Sequence, residues 1–316
     1  MTKAIFKTLF AALLLVSFTF TSCDDDDDTT DQKNIAELAS GNADLSSLVA
    51  ALERAGLTSA FTGTTQYTVF APTNAAFTKF LSDNGFAKLE DVPVDVLKKV
   101  LEYHVVAGEA KAASLATGYV KTIATFGTTT SNLSLFVNTS GGVSLNKDVK
   151  VTTADVDATN GVVHVVDKVI SLPTIVTTAV NNPDFSTLVT ALTRSDLGVN
   201  YVDILSGSGP FTVFAPTNDA FAKLLTELNL TSLSQIDAAT LNAVLQYHVV
   251  AGANVLAGQL TDEQEITTFQ TGKFRVDLTG GAKIVDAANR TTNIIATDVQ
   301  TNNGVIHAID RVLLPN

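Results

Sequence analysis

The sequence has no tryptophan, a single cysteine and four histidines. One Cys excludes an intrachain disulfide and a thiolate zinc centre. Four His in so long a chain leave little for metal chemistry. Without Trp, a large glycan cleft lacks its usual stacking platform. Cations are scarce as well, with 20 Lys and Arg against 32 Asp and Glu, a net charge of −12. A phosphate backbone needs clustered cations, so no nucleic acid is expected as a partner. Gly-x-Ser-x-Gly is absent. Gly141-Gly142 and Gly280-Gly281 read as hairpin turns, with no following Lys-Thr to make a phosphate loop. The reading is therefore of a non-enzyme, with no catalytic residue, no cofactor and no metal.

What is present begins with an address. Lys3 and Lys7 precede an apolar run from Leu9 to Phe20, which is too short to span a bilayer. Residues 1–22 read as a secretory signal peptide. Cys23 stands where cleavage falls, after the small residues Thr21 and Ser22. This resembles the lipobox of bacterial lipoproteins, with Phe20 where Leu is usual, and makes Cys23 the expected lipid anchor. Stable anchoring then rests on more than one acyl chain. Asp24 to Asp28 are consecutive carboxylates, a self-repelling block. Residues 23–33 read as the lipidated Cys and an acidic, disordered tether. Such acid-rich stretches resemble export signals of surface lipoproteins, which implies the outer membrane, facing the exterior. The membrane contact is expected through the lipidated Cys only.

The remainder is one unit written twice. Val69-Phe70-Ala71-Pro72-Thr73-Asn74 returns as Val213-Phe214-Ala215-Pro216-Thr217-Asn218, at an offset of 144. Tyr103-His104-Val105-Val106-Ala107-Gly108 returns as Tyr247-His248-Val249-Val250-Ala251-Gly252, again at 144. Asn160-Gly161-Val162-Val163-His164 returns as Asn303-Gly304-Val305-Ile306-His307, at 143. Asp44-Leu45-Ser46 matches Asp184-Phe185-Ser186 at only 140, so the second copy gains four residues, near Asn200 to Ser208. That loop is read as a copy-specific contact or as packing at the domain interface. The length of the repeat makes it a domain duplication, with domains at 34–172 and 173–316.

Each copy reads as helices first and strands afterwards, an α+β class. Leu48, Ala51, Leu52 and Ala55 have helical spacing, with Asp44 or Ser46 as cap. Tyr67 to Phe70 is β-branched and aromatic and reads as a strand that Pro72 ends. A helix follows, with Ala76, Phe77 and Phe80 inward. Another helix opens at Val92-Pro93 and carries Val96, Leu97, Val100 and Leu101. From Ile123 to Ile170 the composition predicts antiparallel strands, with Asn160-Gly161 as a hairpin turn.

The three ordered motifs, found twice, resemble the fasciclin (FAS1) domain across nearly all of the chain beyond the tether. The resemblance implies two tandem domains, each a wedge-shaped β-sandwich flanked by helices. It also implies adhesion: a cell-surface interaction protein binding an extracellular protein or polysaccharide. The alternative is a glycan-binding accessory of a surface polysaccharide-processing system. In some family members the Tyr-His region is proposed to contact receptors, which would give Tyr103 and Tyr247 that role. The residues themselves favour structure: Asn74, Tyr103, His104, His164, Asn218, Tyr247, His248 and His307 are read as structural motif residues. A ligand surface or half a metal shell remain alternatives for the four His, and the ligand-binding residues are unknown. Asp155 to Gly161 starts like a calcium loop, but its Gly is one position late and Val166 stands where Glu is needed.

Overall fold

The computed structural model describes residues 32–315. The expected leader, Cys23 and the acidic run lie outside the described residues.

In the first domain, α1 (Ile35–Ser40) and α2 (Ser46–Arg54) precede strand β1 (Tyr67–Pro72). Then come α3 (Asn74–Asp83), α4 (Val94–Tyr103) and the short β2 (Val105–Ala107). Strands β3 (Gly118–Thr125), β4 (Asn132–Asn138), β5 (Ser144–Leu145), β6 (Val149–Ala158) and β7 (Gly161–Val166) complete it. The second domain repeats this order. Its helices are α5 (Ile175–Asn181), α6 (Ser186–Leu192), an added α7 (Tyr201–Ser206), α8 (Asn218–Glu227) and α9 (Ala238–Tyr247). Its strands are β8 (Phe211–Pro216), β9 (Val249–Ala251), β10 (Glu265–Thr267), β11 (Lys273–Asp277), β12 (Lys283–Val285), β13 (Thr291–Thr301) and β14 (Gly304–Ile309).

Most strand pairs are antiparallel, as the composition predicts, but the central pair is not. β1 runs parallel to β7, with Tyr67 opposite Gly161 and Phe70 opposite His164. A parallel pair needs a long crossover, and the whole domain between β1 and β7 supplies it. In the first domain the seven strands close into a barrel, completed by a bridge between Val106 and Thr122. In the second the sheet ends at β9 and β10, where one backbone bond, Phe269 N–H to Val249 O at 2.7 Å, crosses the gap.

Each sheet divides its apolar residues between two cores. In the first domain Leu48, Leu52, Phe77, Leu97 and Leu101 from the helices meet Val69, Ala71 and Val163 on one face. Phe70, Leu133, Leu135, Val137 and Val166 fill the other side, within the strands. Alternation along β1 and β7 makes this division possible. Each fully buried Leu or Phe contributes about 1.5–3 kcal/mol by leaving water.

Three local expectations are corrected. Val96 is 43% exposed, because α4 starts at Val94 and turns Leu97, Val100 and Leu101 inward instead. Neither Asp44 nor Ser46 caps α2: Asn42 accepts the Asp44 N–H at 3.0 Å, and the Ser47 N–H is met from α3. The lengthened segment of the second copy forms the six-residue α7, whose Tyr201 and Leu205 are buried in that domain's own helical core.

Among the described residues no helix is long and apolar enough to cross a membrane. The two domains pack as one compact unit from Lys33 onward.

Candidate functional site

His104 ends α4 and His248 ends α9. A helix leaves its last carbonyls without partners, and an imidazole there can serve them. His104 Nδ1–H donates to Val100 O at 2.7 Å, and Nε2 accepts the Ile170 N–H at 2.8 Å. His248 repeats this with Val244 O at 2.7 Å and the Leu313 N–H at 2.9 Å. Each ring ties a helix end to the chain leaving the last strand. Burial lowers both pKa values to about 4, so both rings are neutral near pH 7.

His164 and His307 use the opposite tautomer. Their Nε2–H groups donate to Ala110 O at 3.0 Å and Val255 O at 2.9 Å. Their Nδ1 atoms accept the N–H of Asp155 at 3.2 Å and of Asp298 at 3.3 Å. Asp155 and Asp298 sit at φ of 59° and 58°, in bulges where β6 and β13 slip against β7 and β14. Asx residues tolerate that region better than others. Their carboxylates accept the N–H of Ala112 at 2.7 Å and of Ala257 at 2.8 Å. The rings also stack on Phe70 and Phe214, with centroids 5.5 and 5.3 Å apart. Burial lowers the pKa of His307.

Both nitrogens of all four rings therefore bond main-chain groups, leaving no lone pair for a metal. Among the described residues no group of three or more His, Cys, Asp or Glu could hold a metal ion. The Asp155 carboxylate, first of the calcium-like run, is committed to its backbone bond.

Tyr103 and Tyr247 are 0% exposed, which removes their phenols from the surface where a receptor would meet them. Tyr103 donates to Ser134 O at 2.8 Å and accepts from Asn146 Nδ2 at 3.2 Å. Tyr247 donates to Lys273 O at 2.6 Å and accepts the Ala287 N–H at 3.1 Å. Burial raises both phenol pKa values. Asn74 and Asn218, opening α3 and α8, reach across to another helix. Asn74 Oδ1 accepts the Ser47 N–H at 2.8 Å, and its Nδ2 donates to Ala43 O at 2.8 Å. Asn218 does the same with the Thr187 N–H and Pro183 O, both at 2.9 Å.

Asn160 and Asn303 carry more than a turn. Asn160 Oδ1 accepts the Ile35 N–H at 2.9 Å, while Nδ2 donates to Phe61 O and Gly63 O at 2.8 and 2.9 Å. Asn303 likewise holds the Ile175 N–H, Leu205 O and Gly207 O at 2.9, 2.8 and 2.7 Å. Their recurrence in both copies was the one sequence signal of this role.

The seam between the domains joins β3 and β4 to β13. Lys121 Nζ bonds Asp298 O and, at 3.0 Å, Ser134 Oγ, which also accepts the Gln300 N–H at 3.0 Å. Tyr119 packs into the helical core of the second domain, and its hydroxyl accepts from Asn182 Nδ2 at 3.3 Å. Burial pushes its phenol up to about 12. The Asn302 N–H also bonds Pro173 O in the linker, at 2.7 Å. Tyr119, Lys121 and Ser134 were not singled out in the sequence, because no pattern within one copy marks a contact with the other.

Two surface grooves flank this frame, one reaching from the first domain to α5 of the second and one within the first domain. One, of about 440 Å³, runs from α3 to α5 and holds the ion pairs Lys79–Asp83 (3.0 Å) and Lys168–Asp148 (2.8 Å). The other, of about 360 Å³, lies between α1 and the outer faces of β6 and β7.

A duplicated α+β frame whose motif residues all bond backbone is a scaffold class, and its motifs match a known one. The chain belongs to the fasciclin domain family, whose model matches residues 43–173 and 183–315. Among curated proteins, an uncharacterised protein of Synechocystis, sll1735, is 41% identical over 143 residues, covering 45% of this chain and 98% of that protein. The transforming growth factor-beta-induced protein ig-h3 of Sus scrofa is 31% identical over 268 residues, covering 80% of this chain and 35% of its own length. The cell surface glycolipoprotein MPB83 of Mycobacterium bovis is 38% identical over 144 residues, covering 45% of this chain and 60% of its own. A solved FAS1 domain pair from the insect cell adhesion molecule fasciclin I has a TM-score of 0.48 and 21% identity, covering 84% of this chain and 92% of that chain.

Proposed function

We propose that this chain is a lipid-anchored, cell-surface interaction protein that works by contact and performs no bond-making chemistry. The observation that carries the reading is the commitment of the motif residues. Both copies spend their motif histidines, tyrosines and asparagines on main-chain groups, so these side chains are structural. What remains for function is the outer surface of two docked domains. Family membership supports adhesion, and the likeness to a named cell-surface glycolipoprotein supports a bacterial anchored form. In this reading Cys23 carries the lipid, residues 24–33 are the tether, and the domains face the exterior of the outer membrane. The partner is an extracellular protein or polysaccharide. Two docked copies would add avidity where the partner is repetitive.

The test has two arms. Cys23→Ala moves the protein from the membrane to the soluble fraction, and antibody labels intact cells carrying the wild type. Retention of the variant in membranes overturns the anchor, and labelling only after outer-membrane disruption overturns the exterior placement. An array of matrix proteins and glycans, probed with the Cys-free chain, seeks the partner. The second reading, a glycan-binding accessory, rests on the groove holding Lys79, Asp83, Asp148 and Lys168, a polar cleft of sugar-binding size. Array binding to glycans alone, lost on Asp148→Ala, would favour it.

A further inference from the structure

The socket that holds the two domains together exists twice but is filled once. In the second domain Tyr119 packs against a cluster that includes Ala179, Val299 and Ala308, and Asn182 meets its hydroxyl. The repeat places Ala39, Val156, Val165 and Asn42 at the same positions of the first domain. There they line the open groove of about 360 Å³ between α1 and the sheet. Burial records the difference. Val299 and Ala308 are 4% and 6% exposed, while Val156 and Val165 are only half-buried. Asn182 is buried, while Asn42 is exposed. Both asparagines point Oδ1 the same way, accepting from Asp184 N–H at 2.9 Å and Asp44 N–H at 3.0 Å. Asn182 gives its Nδ2 hydrogen to the tyrosine, and Asn42 Nδ2 has no hydrogen-bond partner among the described residues.

The flanking strands differ between the two sockets. On β13 the carbonyl of Asp298 takes the Lys121 ammonium. The matching stretch of β6, from Asp155 to Asp157, carries two exposed carboxylates, with Asp157 standing where the second domain has Gln300. Those carboxylates already have partners: Asp155 accepts the Ala112 N–H at 2.7 Å and Asp157 pairs with Lys111 at 3.0 Å, so the phenol alone defines what the groove takes. A second copy of this chain is poorly equipped to fill the socket. Its Tyr119 is already committed to its own second domain, and exposed positions of β10 offer Glu265 and Thr267.

We propose that the first-domain groove docks a tyrosine, presented on a sheet face, from a fasciclin-type domain of another protein. The proposal rests on the contact-protein reading and supplies its surface and partner class. The apolar walls take the ring, and Asn42 Nδ2 takes the hydroxyl.

The probe is a head-to-tail cyclised peptide of residues 118–138, which displays Tyr119, Lys121 and Ser134. It is titrated into the isotope-labelled Cys-free chain and followed by NMR. The expected result is shifts confined to Leu38, Asn42, Val156 and Val165. Tyr119→Ala in the peptide weakens binding at least about tenfold, as loss of a buried aromatic anchor does. Val165→Arg in the chain abolishes binding, with an unchanged melting temperature as the control for folding. Asn42→Ala, which leaves the apolar walls intact, weakens it several-fold. Absence of shifts at millimolar peptide, shifts elsewhere, or equal binding of the Tyr119→Ala peptide overturns the proposal. Light scattering that shows a dimer lost on Val165→Arg overturns the partner class in favour of self-association. The array is repeated with Val165→Arg. Array binding with a silent peptide sinks only the groove, whereas peptide binding with a silent array sinks the broader reading.

Discussion

Acid sensitivity follows from His104 and His248, and its size can be worked out. Both imidazoles are buried and neutral, with pKa values near 4 against 6.5 for a free ring. In the unfolded chain they take protons as pH falls below 6.5, while in the folded chain they refuse them until about 4. The unfolded state then binds more protons, so stability falls with pH across that window. It is complete above the window and levels off beneath it. Each ring contributes a slope of about 1.4 kcal/mol per pH unit, or about 3 kcal/mol in all. His307, also held down by burial, adds a slope of the same sign. Asp196, Asp237 and Asp277, lowered from 3.8, fall below the window, while Glu265, lowered from 4.5, adds at its acid end and Glu102, raised by burial from 4.5, acts with the opposite sign there. Urea unfolding at half-unit steps from pH 7.5 to 4.5 measures the slope. His104→Gln keeps an acceptor for the Ile170 N–H and loses the donor to Val100 O. It should cost about 1–3 kcal/mol at pH 7 and remove the first domain's share of the acid slope. A wild-type stability flat from pH 6.5 to 4.5, or an unchanged slope in the variant, would refute the reasoning.

Three further outcomes follow from the same geometry. Gly161→Ala places a Cβ 1.9 Å from Tyr67 O at a φ of +137°, so soluble expression should fail or stability fall by more than about 4 kcal/mol; near-native melting would disprove it. Tyr119→Ala should uncouple the domains and split one calorimetric transition into two, whereas Tyr119→Phe loses only the Asn182 bond, about 1 kcal/mol. Asn74→Ala leaves the Ser47 N–H and Ala43 O without their partner and should cost about 1–2 kcal/mol by urea unfolding, matched by Asn218→Ala in the other domain.

The sequence disclosed what is local or repeated, and little of what joins distant segments. The helical spacing of Leu48, Ala51 and Leu52 and the strand character of Tyr67 to Phe70 are local, and both elements are present. The duplication itself needed only co-linear motifs. The cap of α2 was misread because its acceptor, Asn74, lies far along the chain on another helix. Val96 was grouped with Leu97, Val100 and Leu101, and which of the four faces the core depends on where α4 begins, which propensity does not set. Asn160 read as a turn residue, yet its amide bonds three segments at once. The Tyr119 seam was invisible for a different reason: a tyrosine on a strand carries no mark in the sequence of the neighbour that covers it.

The parallel pairing of β1 with β7, sealed by Asn160, bears on how the molecule comes into being. During synthesis the first helix of each domain emerges well over a hundred residues before the side chain that satisfies its opening N–H. Every newborn domain must wait, with its middle strand half-paired, until the terminal hairpin arrives. Its completion is an act of the finished chain, and slow ring closure of this kind is what large sequence separation imposes on folding speed.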